Sequence, residues 1–338
     1  MKKDDVFPPQ LEKFSRYFKV ILNRSDKTIF QYQNDIMIFL RFEYALKNHI
    51  DYKKNDITEL DVSAIDDKFL ASITQADVME FLMYTSSVMA NDTKARARKL
   101  SSIRSFFKFL INQEHIISEN PATNIQSPSI KPALPKFLNE EESIKLLKTV
   151  ENDSENKFRV RDYAIITIFL NCGIRLSELV GIDISDMDGE LRSMRVLGKG
   201  AKERMIYLND ACRSAIFEYL KIRSADEQIT DLNSKKALFI SKQHRRISNQ
   251  MVQTLVYKYL DKAGLGNRGL SVHKLRHTAA TLMYQSGEVD LRVLKDILGH
   301  EQLTTTQIYT HVSDEKMEKA MAANPLSSIK SAEKDNKE

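Results

Sequence analysis

The sequence predicts a mainly α-helical protein of two domains, with one small antiparallel sheet in the second. Apolar residues recur at helical spacing along most of the 338-residue chain. A proline-rich segment near residue 130 interrupts this pattern, and two short extended runs flank a turn-rich segment between residues 194 and 208. The hydrophobic fraction of 42% is ample for two cores.

The first 120 residues predict a bundle of at least four helices. Leu11, Phe14 and Phe18 share one helical face, and Ser25 with Asp26 can cap a second helix. Further helical patterns run through 78–85 and 100–111. Between them lies an acidic stretch, 51–67, which we interpret as a solvated loop or short helix unsuited to facing a polyanion.

The last predicted helix of this half is rich in basic residues. Such a face can donate hydrogen bonds to phosphates along a nucleic-acid groove, although a solvated basic surface explains it equally well. The candidate phosphate contacts are Lys94, Arg96, Arg98, Lys99 and Arg104. The net charge of +5 adds only weak support for a polyanionic partner.

The proline-rich segment predicts a domain boundary. Four of the seven prolines lie between Pro121 and Pro135, and proline ends helices. We therefore expect a helical domain over 1–128, a linker over 129–136 and a second domain over 137–338 that ends in a helix at 315–323 and a disordered tail.

The second domain begins with a capping-box pattern at 139–142 and a helix from Arg159 to Cys172, which Gly173 ends. Residues 194–197 and 204–208 predict a hairpin about GKGAKE, and 237–240 is a candidate third strand.

Several classes of protein are disfavoured. The chain lacks a run of about 18 apolar residues, and no apolar segment follows the opening MKKDDVFPPQ, so we expect neither membrane spanning nor secretion. Two cysteines cannot make a disulfide framework, which is typical of a reducing compartment, and the absence of CxxC spacing disfavours a zinc site. We expect a cytoplasmic protein.

Residues 271–311 carry the functional signal. His273, Arg276 and His277 precede a Leu-Gly-His triplet that ends at His300, and Tyr309 follows. An arginine fork fits two phosphate oxygens, histidine moves protons near neutral pH, and a tyrosine hydroxyl can attack phosphorus. Upstream, Arg175 and Lys199 complete a set suited to phosphodiester chemistry.

The segments CGIRLSEL, GKGAKER, HKLRHTAATLM and LGHEQLTTTQIYTHV occur in this order between about residues 135 and 315. In this order they resemble the tyrosine recombinases of the phage-integrase family, and especially its Xer-like site-specific recombinases. The resemblance implies a helical, SAM-like core-binding domain followed by a catalytic domain. It also implies breakage and rejoining of DNA through a 3′-phosphotyrosine intermediate, with no metal, cofactor or nucleotide.

Residue roles follow from the same resemblance. Tyr309 would be the nucleophile, Arg175, Arg276, His273 and His300 would contact the phosphate, and Lys199 would protonate the leaving 5′ oxygen. Glu178 and His277 would support these residues, and Lys202 and Arg204 of the hairpin would contact DNA.

The resemblance further implies a homotetramer on two sites in double-stranded DNA, with or without a second recombinase or accessory protein, in the cytoplasm at the nucleoid. Chromosome dimer resolution and mobile-element integration or excision both remain open. Two features depart from the family pattern. Tyr207 stands where a proline is common, and the acidic stretch looks like an insertion.

Three other classes of protein share part of this pattern. A metal hydrolase would use the i, i+4 pair His273 and His277, but Lys274 stands where such a motif has its glutamate. A type IB topoisomerase also uses a tyrosine, arginines and a lysine as its catalytic residues. A catalytically silent DNA-binding protein is disfavoured because each motif keeps its reactive residue.

Overall fold

The computed structural model describes residues 6–129, 136–198 and 202–299. The chain forms two compact units, Met1–Ala133 and Leu134–Glu338. Both are mainly helical and the second carries a two-stranded antiparallel sheet, which confirms the predicted fold class. None of the described helices combines the length and apolar character that crossing a bilayer requires.

The first unit is a helical bundle whose core contains many packed aromatic side chains. Its helices are α1 (Pro9–Val20), α2 (Asp26–Lys47), α3 (Asp67–Ala71), α4 (Gln75–Ser87) and α5 (Thr93–Asn112). The Ser25 side chain caps α2 by accepting a 3.2 Å hydrogen bond from the Thr28 amide. Phe39 and Phe81 are fully buried and meet edge to face at 5.1 Å between ring centroids.

The acidic stretch is better anchored than a solvated loop. Its aspartates and glutamates are exposed, but Ile57, Val62 and Ile65 between them are buried in the core of this unit. A short 3-10 turn over Ile57–Glu59 and helix α3 order it. The acidic composition of the stretch does not reveal these three buried positions, because exposed carboxylates surround them in the sequence.

The second unit begins with α6 (Glu140–Glu151), α7 (Arg159–Cys172) and α8 (Leu176–Gly181). Strands β1 (Ser193–Leu197) and β2 (Glu203–Tyr207) follow, and then come α9 (Asp210–Ser224), α10 (Leu232–Lys236), α11 (Asn249–Lys262), α12 (Val272–Gln285) and α13 (Leu291–Leu298). The capping box predicted before α6 is present, with Asn139 accepting from the Glu142 amide at 2.8 Å.

The hairpin has the predicted position, and the candidate third strand is wrong. Met194 pairs with Ile206, and both side chains face the core. Residues 237–240 are buried but make only isolated bridges, Asp183 to Ala237 and Ile240 to Arg246. Their apolar character reflects burial of the segment on all sides, which period-2 patterns do not distinguish from pairing in a sheet.

Candidate active site

Helix α12 presents His273 and Arg276 together. They stand three residues apart, so they share one face of the helix. Thr278 on the same helix accepts a 2.9 Å hydrogen bond from the Leu138 amide, which ties α12 to the segment before α6. Burial of Leu275 and Ala279 fixes the rotation of the helix.

Arg276 is almost fully buried, with 2% of its surface exposed. Its Nη1 donates to the Gly173 carbonyl oxygen at 2.7 Å, and its Nη2 donates to the Leu298 carbonyl oxygen at 2.6 Å. The guanidinium therefore joins the C-terminal ends of α7 and α13. The sequence predicts a fork directed at phosphate, and it does not reveal this bridging role because both carbonyls belong to other helix ends.

Arg175 stands immediately before α8 and is bound on two sides. Its Nη1 donates to Oε1 of Glu178 at 2.7 Å, and its amide donates to Oε2 at 2.7 Å. Its Nη2 donates to the Gly299 carbonyl oxygen at 2.7 Å. About a third of the side chain remains exposed, which leaves it accessible to a ligand.

Glu178 is the buried anchor of this cluster, with 1% of its side chain exposed. Burial acts to raise the pKa of this carboxyl, but hydrogen bonds from Arg204 and from Arg175 outweigh it and lower the pKa to about 2. Glu178 is thus ionised at neutral pH and holds the Arg175 side chain in place. This is the geometry that a supporting role requires.

Arg204 of β2 does not point to solvent as a DNA contact would. Its Nη1 and Nη2 donate to the two oxygens of Glu178 at 2.7 and 2.9 Å, and its Nε donates to the Ile297 carbonyl oxygen at 3.3 Å. Only 15% of its side chain is exposed. We correct its predicted role from a DNA contact to an internal one. The sequence does not reveal this role because Glu178 and Ile297, which accept these bonds, lie far from Arg204 along the chain.

His273 is exposed beside this cluster, and His277 is buried. Partial loss of hydration, followed by the positive charges of Arg276, Lys274 and Arg175, lowers the pKa of His273. The ring is therefore largely neutral at pH 7 and able to accept a proton.

The i, i+4 spacing of the two histidines brings their rings edge to face, with centroids 4.6 Å apart. Over the described ranges, no third metal-ligating side chain joins them.

Three predicted site residues, Lys199, His300 and Tyr309, lie outside the described residues, as does the helix predicted at 315–323. The described residues end immediately before two of them, Lys199 and His300. The Gly198 amide donates to the Lys202 carbonyl oxygen at 2.7 Å across the end of the hairpin, and α13 ends at Leu298 with Gly299 in the left-handed conformation.

Comparison with known proteins decides the family. The model of the phage integrase family matches residues 136–316, and that of the phage integrase N-terminal SAM-like domain matches residues 11–114. The chain belongs to the phage integrase family.

Curated members of the family resemble the chain over most of its length. The tyrosine recombinase XerC of Caldanaerobacter subterraneus subsp. tengcongensis is 44% identical over 95% of this chain and 88% of its own. A tyrosine recombinase XerD of Oceanobacillus iheyensis is 31% identical over 91% of this chain and 95% of its own.

Solved structures share the fold of this integrase-family chain. A XerH site-specific recombinase bound to its difH substrate has a TM-score of 0.65 at 24% identity and covers 93% of this chain and 83% of its own. A transposon integrase in complex with a circular intermediate DNA has a TM-score of 0.67 at 17% identity, covering 92% and 98%.

This family member is a site-specific tyrosine recombinase, a DNA strand-exchange enzyme. The identification confirms the predicted family and activity. The topoisomerase and silent DNA-binding alternatives are not favoured.

The basic helix α5 of this recombinase is only partly a surface feature. Lys99 is 4% exposed, and its Nζ donates to Asp35 at 3.3 Å. Arg98 and Ser102 also donate to the Asp35 carboxylate, which is itself buried. Lys99 therefore has a structural role, contrary to its predicted contact with DNA, and Arg98 shares it.

Arg104 orders the chain beyond α5. Its Nε donates to the Ala122 carbonyl oxygen at 2.9 Å, and its Nη1 donates to the Ser127 hydroxyl at 3.0 Å. Its Nη2 donates to the Ile125 carbonyl oxygen. These bonds occupy the guanidinium that we predicted to bind DNA. Lys94 remains exposed and Arg96 half-buried, so Lys94 is the most exposed of the five predicted contacts.

Proposed function

We propose that this recombinase cleaves and rejoins DNA through a covalent 3′-phosphotyrosine link formed by Tyr309. The observation that carries the proposal is the convergence of two arginines at the end of α13, with a histidine close enough to be affected by the charge of both. Arg175 and Arg276 donate to the adjacent carbonyls of Gly299 and Leu298, and both arginines lower the pKa of His273. Arg175 comes from one motif, and His273 and Arg276 come from a second motif that lies about 100 residues further along the chain.

The chemistry requires charge stabilisation on the phosphate, a nucleophile and two proton transfers. Arg175 and Arg276 would stabilise the negative charge that grows on the non-bridging oxygens. A phenol with an ordinary pKa of about 10 is a weak nucleophile at neutral pH, so it requires a base close by. His273, neutral and exposed, suits that role.

The remaining roles rest on the sequence motifs. Tyr309 would attack phosphorus in line, forming a bond from its phenolic oxygen to phosphorus while the bond to the 5′ oxygen breaks. Lys199 would protonate that leaving oxygen, and His300 would donate a further hydrogen bond to the phosphate. His277 would pack behind His273. Rejoining is the reverse reaction, in which a 5′ hydroxyl attacks the phosphotyrosine.

Assembly follows from the stoichiometry of exchange. Recombining two duplexes breaks two strands in each, and a chain that contributes one nucleophile cuts one strand. We therefore propose a homotetramer on two sites, working on double-stranded DNA in the cytoplasm, at the nucleoid. Lys94, Arg96 and Lys202 are proposed contacts to its phosphates, with the last on the hairpin.

The decisive experiment traps the covalent complex. The protein is mixed with host DNA in excess EDTA and denatured in detergent, and the attached DNA is recovered and sequenced. We expect wild type to retain DNA and Tyr309→Phe to retain none while still binding DNA before denaturation. Tyr207→Phe, a change at a side chain on the exposed face of β2, is the matched control and should retain DNA.

A covalent complex that persists in Tyr309→Phe would contradict the nucleophile assignment. The recovered sequence identifies the biological role. One repeated chromosomal site indicates dimer resolution, whereas element ends indicate integration or excision.

A further inference from the structure

The last turn of α13 is held by three arginines through three successive carbonyls. Arg204 Nε donates to Ile297 O at 3.3 Å, Arg276 Nη2 to Leu298 O at 2.6 Å, and Arg175 Nη2 to Gly299 O at 2.7 Å. The final carbonyls of a helix have no partner within it and form its negative end, so cations stabilise them. Two of the arginines belong to the proposed active site. Arg204 does not.

Arg204 also completes the charge balance around Glu178. Each carboxylate oxygen accepts one Arg204 donor, and Arg175 donates its Nη1 to Oε1 and its amide to Oε2. With Arg204 present, one buried negative charge is shared by two guanidinium groups, so Arg175 keeps part of its positive charge for a phosphate. Without Arg204, the whole charge of Glu178 would fall on Arg175.

One glycine, Gly299, allows this close approach. A Cβ on Gly299 would lie 3.1 Å from both Nε and Nη1 of Arg204, and its φ of +62° lies in the left-handed region. A Cβ on Gly198 would lie 3.2 Å from the Lys202 carbonyl oxygen and at an ordinary contact distance of 3.6 Å from Arg204 Nη1. The backbone at Gly299, immediately before His300, is thus fitted around the Arg204 side chain.

We propose that Arg204 is a positioning residue for strand cleavage. It links the Glu178 carboxylate to the end of α13, so that Arg175 is held in the position from which it approaches the scissile phosphate. This inference rests on the proposed function, and it replaces the prediction that Arg204 contacts DNA. Arg204 acts on the reaction through Glu178 and α13 and makes no contact with the substrate.

The test separates positioning from phosphate contact. The probe is a nicked duplex of the site recovered from wild-type protein, and single-turnover cleavage at saturating protein is measured beside the dissociation constant over a range of salt concentrations. We expect Arg204→Gln to slow cleavage by about 10²-fold, the effect of a misplaced reacting group. Its DNA affinity and the salt dependence of that affinity should match wild type.

Arg204→Lys should not restore cleavage, because a lysine keeps the charge but loses the paired donors to Glu178. The acid side of the pH profile gives a further readout. Loss of Arg204 removes a contact that lowers the Glu178 pKa, so protonation of Glu178 should add to that of His273 and make the acid-side fall in cleavage rate steeper in Arg204→Gln than in wild type. A merely structural role would leave the profile unmoved.

Arg195→Gln is the matched control. This arginine lies on β1 of the same hairpin and donates its hydrogen bond to Asp186, and its side chain is 49% exposed. It should cleave at the wild-type rate.

Weaker binding with a salt slope reduced by about one, and full rescue by Arg204→Lys, would show a phosphate contact and overturn the inference. Wild-type cleavage by Arg204→Gln would overturn it while leaving the proposed function intact. If wild type and Arg195→Gln both fail to cleave, the proposed function fails and this inference fails with it.

Discussion

Nη1 of Arg276 donates a 2.7 Å hydrogen bond to the carbonyl oxygen of Gly173. Gly173 ends α7 with a φ of +58°, and a Cβ there would lie 3.0 Å from Cδ2 of Leu298. The turn that precedes Arg175 is therefore shaped by contact with both α12 and α13. Backbone conformation at one residue sets the relative placement of the two arginines.

Gly173→Ala should lower the free energy of unfolding by about 2 kcal/mol, since a left-handed L-residue and a tight contact are both unfavourable. It should also slow cleavage, because the displaced carbonyl no longer holds Arg276. Thermal unfolding and single-turnover cleavage measure the two effects. Gly189→Ala is the control, since a Cβ there meets nothing within 4 Å. Equal behaviour of the two variants would refute the role assigned to Gly173.

The pH dependence of cleavage should report His273. Its pKa lies below the ordinary value of 6.5, so kcat/KM should fall only as the pH drops past that value and should be level above it. Rates measured between about pH 5 and pH 8 test this. His273→Gln should lose the acid limb that His244→Gln keeps. A limb centred above the ordinary histidine value would mean that positive charge does not act on this ring.

Glu43 should make the stability of the first unit fall as pH rises. It is fully buried, and among the described residues its two carboxylate oxygens have no hydrogen-bond partner. Burial, then the negative charge of Asp77, raises its pKa from 4.5 to about 8, with Lys47 acting in the opposite direction. Between these values the unfolded chain has released the proton and the folded chain has kept it.

Stability should therefore be full below pH 4.5 and should decline by roughly 1.4 kcal/mol per pH unit until the folded group ionises. Glu43→Gln should remove this decline, and Glu12→Gln, at an exposed position of α1, should retain it. Calorimetry of the three proteins across this range measures the difference. Parallel curves for wild type and Glu43→Gln would rule out the raised pKa.

Substitutions of Lys99 and Lys94 should have different effects, the first on stability and the second on DNA binding. Lys99→Gln breaks a buried ion pair with Asp35 and should lower the free energy of unfolding by about 2 kcal/mol, a typical value for a hydrogen bond to a charged group. Lys94→Gln should leave stability unchanged and reduce the salt slope of DNA binding by about one, as loss of one phosphate contact does. The opposite pairing of effects would restore the original prediction for Lys99.

The described part of the molecule shows where prediction from the sequence succeeded. The periodicity of apolar residues placed α7 at its observed bounds, and the turn-rich GKGAKE segment placed the hairpin. Local signals of this kind depend on residues three or four apart, or two apart in strands. The same signals did not distinguish the buried segment 237–240 from a strand, because burial on all sides removes the alternation.

By itself, the sequence determined the family, the two-domain helical fold and the ordered set of reactive residue types. The tertiary structure alone decided which charges face inward. Arg204 and Lys99 look like surface cations in the sequence, but Glu178 and Asp35, 26 and 64 residues away, accept their hydrogen bonds inside the protein. A buried charge requires a partner, and only the folded chain brings such distant partners together.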